Sequence, residues 1–223
     1  MQIKISSAPS YAVAYITLSA GESIECETDA MVAMSMGIEI TSGTAGGLMN
    51  ATIRKYAAGE TFFRTRYRST IEGGWVALAS KYPGDVSIVR IDGNELLIQS
   101  GSVLASSEQV QVESRFSGIS TMVQKEGFVV SKVSGLGELL ICAYGGIEKI
   151  ELGVNQNLIV DTGHLVAWST SLGMKIGPLD SAIKSATTGE GLVALLTGPG
   201  ELYIQTRSER GIKQWLFPKR NEN

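Results

Sequence analysis

Three stretches of the chain state nearly the same pattern: Tyr15–Cys26 (YITLSAGESIEC), Glu95–Ser106 (ELLIQSGSVLAS) and Asn157–Trp168 (NLIVDTGHLVAW). Aligned on Gly21, Gly101 and Gly163, each has an apolar run, two small or polar residues, a glycine, and a second run of alternating polarity. That order specifies two short strands joined by a tight turn, with glycine supplying a backbone conformation costly for other residues. A motif stated three times predicts three related β units. One unit cannot cover its own apolar face, so the three are expected to share a continuous core.

Other landmarks recur in step. Gly74, Gly137 and Gly200 follow one another at intervals of about 63 residues. Glu60, Glu126 and Glu190 each stand one residue ahead of an apolar pair: Phe62-Phe63, Phe128-Val129 and Leu192-Val193. Short accessory helices are expected where Met49, Ile53 and Tyr56 stand at i, i+4 and i+7, and where Ile119, Met122 and Val123, then Leu179, Ala182 and Ile183, keep similar spacing. The resulting expectation is a mainly β single domain over 1–223, with repeats at about 11–92, 93–156 and 157–208 and a C-terminal tail at 209–223.

Charge and cysteine usage narrow the functional classes. A net charge of -3 gives no global attraction to nucleic acid or an anionic membrane. Cys26 and Cys142 form no CxxC pair, which argues against a zinc site or a disulfide framework. No apolar run approaches the roughly 20 residues that span a bilayer, and the N-terminus lacks a signal-peptide core. A soluble, cytoplasmic protein without a transmembrane segment is expected.

Candidate chemistry is sparse. His164 is the single histidine, and its counterparts in the motif are Ser102 and Glu22, so the slot asks only for a polar residue after the turn. A metalloenzyme site on a β fold gathers two or three histidines, so no metal, no cofactor and no catalytic residue is assigned. Glu60, Glu126 and Glu190 are candidate axial carboxylates, which threefold symmetry would bring together around a cation; the competing expectation is three solvated side chains beside turns. Cys26 and Cys142 sit in strand-like contexts as small apolar fillers. Neither a nucleophile elbow nor a phosphate loop is present, and Gly43–Gly47 (GTAGG) lacks the lysine that phosphate binding uses. Leu48, Met49, Ile53 and Tyr56, with Arg54 and Lys55 alongside, form a candidate partner or peripheral membrane contact; the alternative is that they cover the end of the β core.

VDTGHLVAW (Val160–Trp168), AYGGIEKIEL (Ala143–Leu152), KYPGD (Lys81–Asp85), GEGLV (Gly189–Val193) and GPGELYIQTR (Gly198–Arg207) resemble the motifs of the altered inheritance of mitochondria protein twenty-four family. The resemblance covers Tyr11 to Phe217, with the motifs in the family's order. It implies a β fold of the kind grouped with the tryptophan RNA-binding attenuation protein, built from double-stranded β-helix or sandwich-like units. For eukaryotic members it implies a mitochondrial location and a part in inner-membrane organisation; this chain, without a presequence, fits a prokaryotic cytoplasmic member. It carries no catalytic residues over. The fold kinship raises RNA binding, for which Arg207, Arg210, Lys213, Lys219 and Arg220 with Trp215 and Phe217 would be the surface. Glu209 and the acidic remainder dilute that field.

The functional expectation is a non-enzymatic scaffold or binding module that associates with itself, as a homo-oligomer, or with another protein. A small-molecule-binding or enzymatic β protein is the alternative, and RNA binding the second alternative.

Overall fold

The computed structural model describes residues 1–43, 64–113, 129–178 and 192–218. The residues on which the accessory helices are expected, around 48–57 and at Ile119, Met122 and Val123 and Leu179, Ala182 and Ile183, therefore lie outside the described residues. What is described is mainly β. In chain order the strands are β1 (Gln2–Ser6), β2 (Val13–Leu18), β3 (Ser23–Glu27), β4 (Met31–Met34), β5 (Ile38–Gly43), β6 (Arg64–Ser69), β7 (Gly74–Ala79), β8 (Val86–Asp92) and β9 (Leu96–Gln99). They continue as β10 (Val103–Ser107), β11 (Val110–Glu113), β12 (Val130–Cys142), β13 (Ile147–Leu152), β14 (Asn157–Asp161), β15 (Leu165–Ser169), β16 (Gly173–Pro178), β17 (Leu192–Thr197) and β18 (Gly200–Gln205). A single turn of 3-10 helix, Thr162–His164, joins β14 to β15, and helix α1 (Glu209–Leu216) follows β18.

Alternation is clearest in β2. There Ala14, Ile16 and Leu18 point inward and Tyr15 and Thr17 outward. The antiparallel pairings then follow one scheme three times. β2 pairs with β7, β8 with the second half of β12, and β13 with β18. β3 pairs with β6, β9 with the first half of β12, and β14 with β17. β5 pairs with β6, β11 with β12, and β16 with β17. Finally β4 pairs with β7, β10 with β12, and β15 with β18; each of these carries one register shift, at Met31/Ala33, Val103/Ala105 and Leu165/Ala167. The long strand β12 does the work of two strands. Gly135 and Gly137 adopt φ of 107° and 137° between its halves, a backbone region that side chains with a Cβ seldom enter.

Gly74, Gly137 and Gly200 hold equivalent places, opposite Leu18, Ile91 and Leu152. The hairpin alignment needs correcting for its first member. Gly21 follows β2, and its N–H bonds to Ser69 O; Gly93 and Asn155, which follow β8 and β13, bond likewise to Gly135 O and Gly198 O. All three have positive φ, 83°, 78° and 61°. Gly101 and Gly163 belong one hairpin later, where the first segment has Asp29. Local sequence could not separate two adjacent hairpins with the same apolar–turn–apolar pattern.

Three apolar clusters fill the fold. The first gathers Ala14, Ile16, Leu18, Ile24, Cys26, Val76 and Leu78 with Leu104, Ala105, Leu140 and Cys142 from later strands. The second gathers Val89, Ile91, Leu96, Ile98, Leu139 and Ile141 with Val166, Ala167 and Tyr203. The third holds Val160, Trp168, Ala194, Leu196 and Leu202 with Leu97 and Val130. Successive clusters share a sheet, so each is closed partly by the strands of its neighbour. Between the first two, the links Pro83–Asp85 and Ala143–Gly145 meet at the Gly84–Gly145 bridge. A Cβ on Gly84 would stand 2.0 Å from Ala143 O, so only glycine fits there.

Candidate functional site

Two places offer themselves to a ligand or partner. The first is a cleft of about 420 Å³ where Tyr82, Tyr144, the β9–β10 turn, the 3-10 turn and the start of α1 meet. Tyr82 and Tyr144 lie with ring centroids 4.3 Å apart and planes inclined by 31°. Gly101 (φ 84°) passes so near that a Cβ would stand 2.5 Å from the Tyr82 hydroxyl. Gln205, nearly buried, ties the walls together: its Nε2 donates to Gly163 O at 2.9 Å, and its Oε1 accepts from Tyr144 N at 2.9 Å.

His164 stands behind this wall, not in the cleft. Its Nδ1 is 2.7 Å from Gln205 O and, as the donor, fixes the ring against β18. Burial, and then the neighbouring Tyr82, push the Tyr144 hydroxyl well above the usual tyrosine range, so it is a protonated donor. Cys142 is fully buried, and burial pushes its thiol up to about 12. Its Sγ lies 3.5 Å from Gly101 O. Thiolate is the nucleophilic form, so this group is chemically quiet at neutral pH. Among the described residues no three His, Cys, Asp or Glu side chains are grouped so that they could hold a metal ion. The cleft therefore presents hydroxyls, amides, an aromatic pair and the charged Asp161, Glu209 and Arg210, a lining suited to a polar ligand.

The second place is an edge. β4 ends its sheet, in the order β1-β2-β7-β4, and all four of its residues are exposed. Its counterparts in the pairing scheme, β10 and β15, are buried. Val32 is 59% exposed, whereas Leu104 and Val166 in the same place are 0%. At the far end β14 closes the order β14-β17-β16, with Ile159 37% exposed. Neither strand carries the lysine or proline with which exposed edges are commonly blunted.

The other anticipated site residues divide. Glu60, Glu126, Glu190, Leu48, Met49, Ile53 and Tyr56 lie outside the described residues. Cys26 is buried in the first cluster, as a filler should be. Of the C-terminal basic stretch, Arg210 and Lys213 lie in α1, which is capped by Ser208, accepting from Gly211 N at 3.2 Å, and braced by Lys213–Glu209; Lys219 and Arg220 lie outside the described residues. Trp215 and Phe217 are 76% and 77% exposed and pin nothing among the described residues.

The motif order now has a fold behind it, and a family model described as mitochondrial biogenesis AIM24 matches residues 3–207. The chain belongs to the AIM24 family. This AIM24-family chain is 28% identical over 214 residues to an uncharacterised protein of Streptococcus pyogenes serotype M6, covering 92% of this chain and 86% of that protein. It also superposes on the crystal structure of a Streptococcus pyogenes protein at a TM-score of 0.74 and 27% identity, over 96% of this chain and 97% of the other. No helix among its described residues is long and apolar enough to cross a membrane.

Two features of the candidate sites were not found from sequence. Tyr82 and Tyr144 are far apart in the chain, and no local pattern links them. The exposure of β4 had a readable signal, however: MVAM differs from VLASS and LVAWS in lacking any polar residue within the strand, yet nothing local says which copy goes uncovered.

Proposed function

We propose that this chain is a non-enzymatic scaffold, made of one β unit repeated three times, that binds protein partners through a sheet edge. The observation that carries it is the apolar strand β4, paired with β7 on one side and open on the other among the described residues, whereas its two counterparts are paired on both sides and buried. An open edge offers a row of backbone donors and acceptors to a further strand, and Met31, Val32 and Met34 add apolar contact. The test is affinity capture with the full chain beside a Val32→Glu variant of equal thermal stability. Proteins retained by the first and lost by the second support a scaffold working at β4. Identical captured sets, or none, remove it.

A polar cleft lined by Tyr82, Tyr144 and Gln99 supports a second reading, a small-molecule-binding protein. A ligand screen by thermal shift would favour it if a hit raises Tm in the wild type and not in Tyr144→Ala.

A further inference from the structure

The cleft beside Tyr82 and Tyr144 is lined by hydrogen-bonding groups of three kinds. The carboxylates of Asp161 and Glu209 accept only, and the Arg210 guanidinium donates only. The Gln99 amide and the Ser102 hydroxyl do both. Packing satisfies part of this lining from within. Gln205 spends both ends of its amide on Gly163 O and Tyr144 N. The Thr162 hydroxyl donates to Leu192 O at 3.0 Å, and Ser208 Oγ accepts from Gly211 N. Asp161 spends one oxygen on Gly163 N at 2.7 Å, which fixes the carboxylate and leaves its other oxygen to the cleft.

Two groups are left over. Ser102 is 7% exposed, and among the described residues neither its hydroxyl nor the side-chain amide of Gln99 has a partner. Among those same residues, no side-chain oxygen or nitrogen sealed from solvent goes unpaired. The Ser102 hydroxyl is therefore open, and it opens on the cleft that Ser102 lines. A buried hydroxyl with nothing from the chain to bond is waiting for a ligand atom.

Three ligand classes match this lining poorly. An anion would meet two carboxylates against one guanidinium, and the Gly211 N–H in the first turn of α1 is already held by Ser208. A cation would find the Tyr82 ring served, since Lys81 Nζ lies 5.3 Å from its centroid. An apolar ligand would find Leu192 as the one aliphatic side chain among the described lining residues. Hydroxyl groups fit. Each one donates and accepts, so it can meet a carboxylate, a guanidinium or an amide in turn. A sugar ring also has a C–H face, the apolar surface that an aromatic ring takes up. At about 420 Å³ the cleft lies towards the small end of small-molecule sites, which span roughly 300–1,000 Å³.

We propose that this cleft binds a neutral mono- or disaccharide, its C–H face against the Tyr82–Tyr144 pair and its hydroxyls on Gln99, Ser102, Asp161 and Arg210. The proposal rests on the small-molecule reading above, names its ligand class, and stands apart from the edge at β4.

Saturation-transfer NMR on the full chain tests it. The probes are glucose, galactose, N-acetylglucosamine, maltose and lactose at millimolar concentration, with AMP and lysine as charged comparisons. The expected result is transfer to the ring C–H protons of at least one saccharide. Gln99→Ala, at the end of β9, should weaken that binding about three- to tenfold with Tm unchanged. Tyr144→Ala should abolish it. If Tyr144→Ala does not fold, Arg210→Ala, on an exposed residue, takes its place and should weaken binding as Gln99→Ala does. Each sugar is also coupled to agarose through its anomeric carbon. Retention there, competed by the free sugar, assigns the end of a longer glycan; binding of the free form alone assigns a soluble saccharide. A saccharide that binds every variant as it binds the wild type sits elsewhere and overturns the proposal. So does a lack of transfer to any saccharide. If AMP or lysine then binds through Tyr144, a small-molecule site survives with another ligand; if the thermal-shift screen is silent as well, both readings fall.

Discussion

Cys142 shows how burial silences a side chain that its chemistry would make reactive. Its thiol lies under the Tyr82–Tyr144 wall, and desolvation lifts it from about 9 to about 12. The folded pKa is the higher one, so the unfolded chain loses this proton first. The stabilisation is present in full below about pH 9 and drains away as pH climbs towards 12. Tyr144, raised for the same reason, acts with the same sign. Melting temperature should therefore fall as pH rises through that window, and Cys142→Ala, weaker at neutral pH, should lose less across it. A thiol-labelling assay at pH 8 checks the premise: native protein should label far more slowly than protein in urea, and equal rates would show the thiol to be open. At this scale sequence reasoning worked for cysteine, because a small apolar residue inside an alternating strand has one economical place to go. The His164 imidazole holds the 3-10 turn to β18.

Between residues and the whole, the informative unit is the strand with its crossing serine. Ser107 both accepts from Glu138 N and donates to Glu138 O, beside Gly137, where a Cβ would meet Ser107 Oγ at 2.1 Å. The hydroxyl and the glycine thus occupy one space. Ser107→Ala should cost roughly 1–2 kcal/mol through the unpaired amide. Gly137→Ala should cost more, from the clash and the positive φ together. Because both changes act on one contact, the double variant should depart from additivity by more than about 0.5 kcal/mol. Urea midpoints of the four proteins measure this, and strict additivity would separate the two roles. The 63-residue spacing of Gly74, Gly137 and Gly200 was legible because all three sit where the last strand of a unit begins. The serines that donate or accept at this place, Ser35, Ser107 and Ser169, were not, since their spacing is unequal and serine is common in turns.

For the molecule as a whole, β12 is the keystone. It puts Leu140 and Cys142 into the first core, Val133, Leu139 and Ile141 into the second, and Val130 into the third. No core can then open without disturbing a strand that serves another. Leu140→Ala, a first-core lesion, should cost about 2–5 kcal/mol. With Trp75 and Trp215 replaced by phenylalanine, fluorescence of the buried Trp168 reports on the third core. Its midpoint should shift by as much as that of the far-UV circular dichroism, in one transition. Two separated transitions would mean that the cores melt independently.

Alternation, turn glycines and internal similarity fixed the mainly β class and the strand positions, because side-chain direction in a strand depends only on neighbours in the chain. Gly21 was set one hairpin out of step, since adjacent hairpins with the same polarity pattern differ only in what they pair with. Pairing partners, the twofold duty of β12, the Tyr82–Tyr144 cleft and the exposure of β4 came only with the tertiary structure. Each depends on segments brought together from distant parts of the chain. The strand MVAM looks as buried as its relatives until the fold shows that, among the described residues, no neighbouring unit reaches it.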